Sequence, residues 1–228
     1  MNIFFLSYIP YICAQMHSDL HLIKMILETT QLLSTCYRFL YGERPNLKNK
    51  KLMNKLNEEN PIQIYDINWI KLCEKECGKK PLKMTHYNHG CSIWLREKYN
   101  NFIWLCKLGL ELCKEKMIRL PNKNNHCCEI LIKWFYNNPP NESLFKLGKG
   151  IKISVPYIAI SDFWECKVNN INAYRSVLLS YRKYYKAKEQ INIVYYNWKK
   201  DRYPIWLKQE KELNSEQINI IKNKLNKS

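Results

Sequence analysis

The segment HSDLHLIKMILETTQLLSTCYR, residues 17–38, constrains this chain more than any other. On a helix turning 100° per residue, His17, His21, Lys24, Glu28, Gln31, Thr35 and Arg38 share an arc of about 100°, because their spacing alternates between four and three. The rest of the segment is dominated by Leu20, Leu22, Ile23, Met25, Ile26, Leu27, Leu32 and Leu33. A helix apolar around most of its circumference has to be enclosed by other elements, and a polar stripe on an enclosed helix lines a cleft. The competing reading is an ordinary amphipathic helix whose stripe faces water. A solvated stripe in this chain would be rich in Lys, Glu and Asn, whereas this one mixes His, Lys, Glu, Gln and Thr.

Helix punctuation organises the rest. The first long helix is expected from about Asp19 to Leu40, stopped by Gly42. Residues 43–63 are polar and aperiodic and read as a loop or insertion. Further helices are expected at about Asp66–Glu76, Ser92–Arg119, Asn125–Tyr136, Ile171–Lys188 and Gln190–Lys199, with an amphipathic one starting near Ser215. Residues 3–7 read as a short buried strand followed by a turn, and 151–160 as a possible second strand. The expected fold is a mainly α, single compact helical domain spanning residues 1–228, with a short N-terminal strand.

Several classes of function fall away. Only six glycines occur, with neither a dinucleotide-binding fingerprint nor a phosphate-binding P-loop among them. No apolar run approaches the 18 or so residues of a membrane span, so no membrane association is expected. Ten cysteines invite a secreted, disulfide-framed reading. Several, such as Cys106 and Cys113, sit inside apolar helical patterns and read as small buried hydrophobes, and 228 residues need no staples. A zinc site from His86, His89 and Cys91 lacks an evident fourth ligand, so no metal and no cofactor is expected. The placement expected is therefore intracellular.

Thirty-seven Lys and Arg against 20 Asp and Glu give a net charge of +17, which points to a polyanionic partner, nucleic acid and DNA first of all. An AT-rich genome, which favours Lys, Asn and Ile codons, produces the same composition. The charge is uneven: residues 1–44 are neutral and residues 171–228 carry thirteen basic and five acidic side chains.

Three constellations carry chemistry. Lys24 lies one turn from both His21 and Glu28, so three titratable groups on one face can shift one another and support general acid–base work. A lysine held near neutral pKa can also form an imine. In THYNHGCSIWLREKY, residues 85–99, the residues His86, Asn88 and His89 occupy a turn before a helix that carries Arg96, a setting for anion or base contact. Between Tyr174 and Trp206 stand nine aromatic and eight basic residues against two acidic ones. There Arg175, Arg182 and Lys186 share a stripe beside Tyr174 and Tyr181, the pairing of cations with rings that marks nucleic-acid binding. Gln31 completes the candidate substrate contacts. For the stripe and the turn alike, the bland alternative is packed tyrosines, capped turns and solvated charge.

Together, H-S-D-x-H-x-x-K-M-I-L-E-x-x-Q-L-L-S-T, T-H-x-N-H-x-C-S-I-W-x-R and A-Y-R-x-x-x-x-x-Y-R-x-Y-Y resemble a family of uncharacterised proteins of bacteriophages and large DNA viruses, over nearly the whole chain apart from the polar insertion. A more distant similarity reaches the phage pyrimidine-dimer DNA glycosylases. Those are compact all-α enzymes in which a His precedes the catalytic Glu by seven residues, as His21 precedes Glu28, and which end in a Tyr-rich basic stretch resembling 181–186. That resemblance implies a DNA glycosylase/lyase of viral DNA repair or base modification. Glu28 would be the catalytic carboxylate, His21 an orienting or proton-relaying group, and Lys24 an imine-forming amine or phosphate contact. In that family the nucleophile is the α-amine of a threonine exposed by removal of Met. Here residue 2 is Asn, and Leu27 and Gln31 stand where that family places arginines around its Glu. The nucleophile is left open between Lys24, the Met1 amine and water. The alternatives are a non-enzymatic basic nucleic-acid-binding viral protein and an enzyme acting on free nucleotides.

Overall fold

The computed structural model describes residues 2–121, 124–169, 172–191 and 197–226. It is mainly helical: α1 (Pro10–Met16), α2 (Asp19–Leu40), α3 (Lys50–Glu59), α4 (Asn68–Cys77), α5 (Gly90–Glu97), α6 (Tyr99–Arg119), α7 (Glu129–Asn137), α8 (Ala173–Gln190), α9 (Ile205–Gln209) and α10 (Ser215–Leu225). Short 3₁₀ turns lie at Glu142–Leu144 and Ser161–Cys166. No strand forms among the described residues.

The long central helix has the bounds its sequence pattern predicts. Ser18 caps it by accepting the His21 N–H at 3.3 Å. Leu22, Ile26, Leu32 and Leu33 are fully buried, and α5, α6 and α7 pack around it. Gly109 sets how closely α6 approaches: a Cβ there would lie 2.8 Å from Thr29 Cγ2 and 3.1 Å from Ile132. Only a residue without a side chain lets the two backbones pack at that distance.

Several expectations need correction. Residues 3–6 are buried and extended but pair with no strand. The segment threads under α2 and α8 instead, and its Phe4 ring stacks on His21 and Tyr184 at 4.5 and 5.7 Å. The turn expected after it contains α1, which starts at Pro10, where proline's fixed φ suits a first helical turn. The polar 43–63 stretch contains α3, capped by the Asn49 side chain. None of its residues is buried, which is why hydrophobic periodicity misses it. The helix expected at Ser92–Arg119 is two helices, broken at Lys98 without Pro or Gly. The buried Asn101 side chain explains the break: its Nδ2 donates to Trp94 O at 2.6 Å, while its Oδ1 accepts Ser154 N–H at 2.9 Å. Leu147 N–H and Gly148 O fill the remaining gap by bonding Glu97 O and Tyr99 N–H. Residues 151–160 are extended without a partner. Of the helix expected at 190–199, residues 192–196 lie outside the described residues, and 197–199 are not helical.

All ten cysteines are free thiols, and all but Cys77 and Cys127 are buried. No described helix is long and apolar enough to cross a membrane. A buried ion network joins the N-terminal elements to α6. Arg119 bonds Glu115 at 2.9 Å, Asp19 at 3.1 Å and the carbonyls of Gln15 and His17, and Arg202 reaches the same Glu115 oxygen at 2.8 Å. Removing one partner from such a network strands a buried charge.

Candidate active site

The polar stripe of α2 divides into three zones. At its start, His17 precedes the helix and is fully buried. Its Nδ1–H donates to Cys13 O at 2.7 Å, and its Nε2 meets no partner among the described residues. Burial, reinforced by Arg119, pulls its pKa down to about 4. His21 is also buried, with Nδ1 2.6 Å from the Tyr185 hydroxyl. Burial, aided by His17, Lys188 and Lys24, holds its pKa down at about 2. Both imidazoles are neutral in the folded protein at ordinary pH. That argues against a proton-relaying His21 and for a positioning one, which fixes Tyr185 and Phe4.

At the far end the stripe is structural. Thr35 Oγ1 donates to Thr85 O and accepts Thr85 N–H. Arg38 bonds the carbonyls of Pro81 and Leu82 and pairs with Glu43 at 2.5 Å. These contacts lay residues 81–85 along α2 and deliver the following turn to the middle zone.

That middle zone holds Lys24, Glu28 and Gln31. Glu28 is only 8% exposed. Its Oε1 lies 3.6 Å from Lys24 Nζ, whose side chain is 63% exposed. Its Oε2 accepts the backbone N–H of Asn2 at 2.6 Å. Gln31 is half-buried beside them.

Asn2 is locked in place. Its Nδ2 donates to Ala159 O at 2.8 Å, and its Oδ1 accepts Ile3 N–H and lies 2.8 Å from the Tyr181 hydroxyl. That hydroxyl accepts Ala159 N–H at 3.0 Å and lies 3.1 Å from Tyr157 O. Tyr157 in turn covers Gly90, where a Cβ would fall 2.4 Å from the ring. His89 caps α5 by accepting Cys91 N–H on Nδ1 and meets Tyr157 edge-on. Burial lowers the His89 pKa, while the Glu28 charge works against that shift, so the imidazole is within electrostatic reach of the carboxylate. His86 and Asn88 are exposed on the same turn, with His86 Nδ1 2.6 Å from the Thr85 hydroxyl.

Glu28 lines neither of two cavities of the fold. One, of about 700 Å³, opens along Gly90, Trp94, Tyr157, Trp164 and Val177. The other, of about 460 Å³, includes Asn88 and Arg96. The α8 constellation is largely a packing arrangement. Tyr181 is fully buried and cannot stack on a base. Tyr174 donates to Ile153 O and rests edge-on against Tyr8. Arg182 lies over Trp206 at 5.2 Å, and Lys186 pairs with Glu189 and Glu212 at 3.1 and 3.7 Å. Of the expected cationic stripe, Arg175 alone is exposed. The tyrosines of α8 supply the core that the helix needs, and the sequence shows them as aromatic whichever way they point.

Asn2, Gly90 and Tyr157 belong to the site although no sequence pattern singles them out. Asn2 is visible only through the weight the glycosylase resemblance gives to residue 2. A carboxylate set between a nitrogen and an ammonium can accept a proton from a nitrogen nucleophile and stabilise a developing cation. Elsewhere, ligand atoms of His126, Cys127 and Cys128 lie within 4.8 Å of one another, close enough to hold a soft metal ion. No family model, curated protein or solved structure matches this chain.

Proposed function

We propose that the chain is a DNA-directed glycosylase/lyase of the pyrimidine-dimer type, acting inside the host cell of a virus, with Glu28 as its catalytic carboxylate. One observation carries the reading: the nitrogen of residue 2 sits 2.6 Å from Oε2 of a nearly buried glutamate, held there by the Asn2 side chain on Ala159 and Tyr181. The resemblance to that family rests on the seven-residue spacing from His21 to Glu28, and in that family the nucleophile is the amine of residue 2.

In this reading an amine attacks C1′ of the damaged nucleotide as the bond from C1′ to the base breaks. The base leaves with the bonding electrons, Glu28 takes a proton from the attacking nitrogen, and ring opening of the sugar gives an imine. Among the described residues two nitrogens face Glu28; Met1, whose amine is a further candidate, lies outside them. That of Asn2 is an amide while Met1 precedes it and becomes an amine if Met1 is removed; Lys24 Nζ is an amine already. His21 acts through Phe4 and Tyr185 as a positioning residue. Gln31, His86, Asn88, His89 and Arg96 border the carboxylate or the neighbouring cavities and serve as substrate contacts, joined by the exposed Arg175.

The test is borohydride trapping on oligonucleotides carrying ultraviolet dimers or abasic sites. Hydride reduces the imine to a stable amine, so the reading expects a covalent complex on damaged strands alone. Failure to trap on any damaged strand, by a protein that still binds DNA, would favour the second reading, a non-enzymatic nucleic-acid-binding protein. The exposure of Lys24 supports that alternative.

A further inference from the structure

Outside the Glu28 site, two arginines share one aromatic ring. The guanidinium of Arg44 lies 4.7 Å, and that of Arg96 4.2 Å, from the centre of Phe39. Both are half-buried and border the cavity of about 460 Å³ between the end of α2, the end of α3 and α5, whose polar wall also includes Asn60, Gln63, Asn88 and Lys146 and the carboxylates of Glu59 and Glu97. Among the described residues neither forms an ion pair. Glu59, at the rim, is engaged by Lys55 at 3.7 Å, and Glu97 accepts the Ser154 hydroxyl at 3.2 Å.

Their hydrogen bonds differ. Arg44 spends its donors on the backbone of Phe39, Glu43 and Asn60 and on the Asn57 side chain, which pins α3 to the end of α2. Arg96 commits one N–H, to Tyr87 O at 2.5 Å, and its others meet no acceptor among the described residues. Desolvation depresses the pKa of both, and at Arg96 the charge of Arg44 adds to the depression while Cys36, Tyr87 and Glu97 oppose it. The face of an aromatic ring offsets part of the cost of burying a cation, and an anion offsets the rest.

We propose that this cavity is a phosphate-binding site in which the planar fork of Arg96 receives the anion, Lys146 and Asn88 close over it, and Arg44 supplies charge and the rigid wall. A guanidinium with several free N–H groups in one plane matches the oxygens of a phosphate, and the second cation makes any neutral occupant a poor substitute. Arg96 and Asn88 are also substrate contacts in the proposed glycosylase, so a strand phosphate bound here deepens that reading, while binding of inorganic phosphate does not depend on the Glu28 reaction. If the protein does act on a strand, Asn88 joins this pocket to the turn of His86 and His89, and Arg96 lies about 9 Å along α5 from Gly90.

The test follows the Arg96 side-chain Nε–H resonance of the full chain during titration with inorganic phosphate, with a single-stranded octanucleotide, and with chloride at matched ionic strength. The site requires a saturable shift with phosphate that chloride does not reproduce. If the octanucleotide gives the same shift, and both Arg96→Gln and Lys146→Gln weaken its binding about fivefold or more, the anion is a backbone phosphate. A shift with phosphate alone assigns the pocket to a free phosphate ester. Lys146 is exposed, so its variant tests the pocket without threatening the fold. No phosphate-specific shift in the folded protein overturns the proposal. No arm involves Glu28, so loss of the glycosylase reading leaves this result standing.

Discussion

The backbone nitrogen of Asn2 and Oε2 of Glu28 lie 2.6 Å apart across 26 residues of sequence. The contact is not an accident of a frayed end, because the same asparagine is tied through its side chain to Ala159 and Tyr181, on elements more than 150 residues away. Three separate parts of the chain therefore converge to hold one nitrogen on one carboxylate.

Glu28→Gln is expected to keep the fold, because the amide oxygen can still accept the Asn2 N–H. It should lower glycosylase turnover or imine trapping by roughly 10² or more, with DNA affinity unchanged or slightly raised. If trapping by the variant equals wild type while the helical signal is preserved, Glu28 is not the catalytic carboxylate.

Tyr181→Phe should be costly in a particular way. The hydroxyl is fully buried and is the acceptor for Ala159 N–H. Its loss leaves that N–H unsatisfied and frees Asn2 Oδ1, for about 1–3 kcal/mol of stability by urea titration. Activity measured well below the unfolding midpoint should fall further than stability explains, because the Asn2 nitrogen loses one anchor. A variant as active as wild type under those conditions would show that the anchor is dispensable.

The long α2 helix was readable because its apolar period runs unbroken for more than five turns between Ser18 and Gly42, and burial follows that period. The same logic placed Glu28 and Lys24 on one face. It could not say which part of the face stays open, since Thr35 and Arg38 carry the same polar signal as Glu28 but are spent on residues 81–85. The break at Lys98 was invisible because a single buried asparagine makes it through contacts to Trp94 and Ser154. The tyrosines of α8 were legible as a cluster, but whether a ring stacks on a base or on Phe4 is a tertiary fact. The N-terminal segment looked like a strand because it is short, apolar and buried, which a threaded extended segment also is.

Stability should fall on acidification before most carboxylates titrate. His17 and His21 have folded pKa values of about 4 and about 2, against about 6.5 in the unfolded chain. Between those values the unfolded state binds more protons, so stability rises with pH up to about 6.5. It is lost as pH falls, by about 1 kcal/mol per pH unit for each histidine. The loss at His17 levels off near pH 4, while that at His21 continues towards 2. Urea midpoints at pH 7 and pH 5 measure this, and His17→Asn should shed about one histidine's share of the slope. Equal midpoints at both pH values would mean that the two imidazoles are not buried neutral.

Nucleic-acid affinity, where present, should fall steeply with salt, and the slope should sort the cations of α8. Arg175 is exposed, so Arg175→Gln should reduce the logarithmic salt slope by up to about one unit. Lys186 already pairs with Glu189 and Glu212, so Lys186→Gln should leave the slope nearly unchanged. Equal effects of the two substitutions would restore a continuous basic stripe on α8.

The identity of the attacking nitrogen yields the sharpest prediction. Lys24 Nζ is 3.6 Å from Glu28 Oε1 on a largely exposed side chain, a geometry that water and rotamer freedom readily dissolve. The residue 2 nitrogen is closer, is held by backbone and side-chain contacts, and faces the other carboxylate oxygen, and it becomes a nucleophilic amine only once the Met1–Asn2 peptide bond is hydrolysed. Lys24→Ala should therefore retain borohydride trapping within a few-fold and cost under about 0.5 kcal/mol of stability. A chain whose residue 2 nitrogen stays in a peptide bond, made with an extension that cannot be processed, should lose trapping while keeping its DNA affinity. Mass spectrometry of the trapped adduct locates the modified residue directly. An adduct on Lys24, or undiminished trapping by the extended chain, would reverse the assignment and leave the Asn2–Glu28 contact a structural tie.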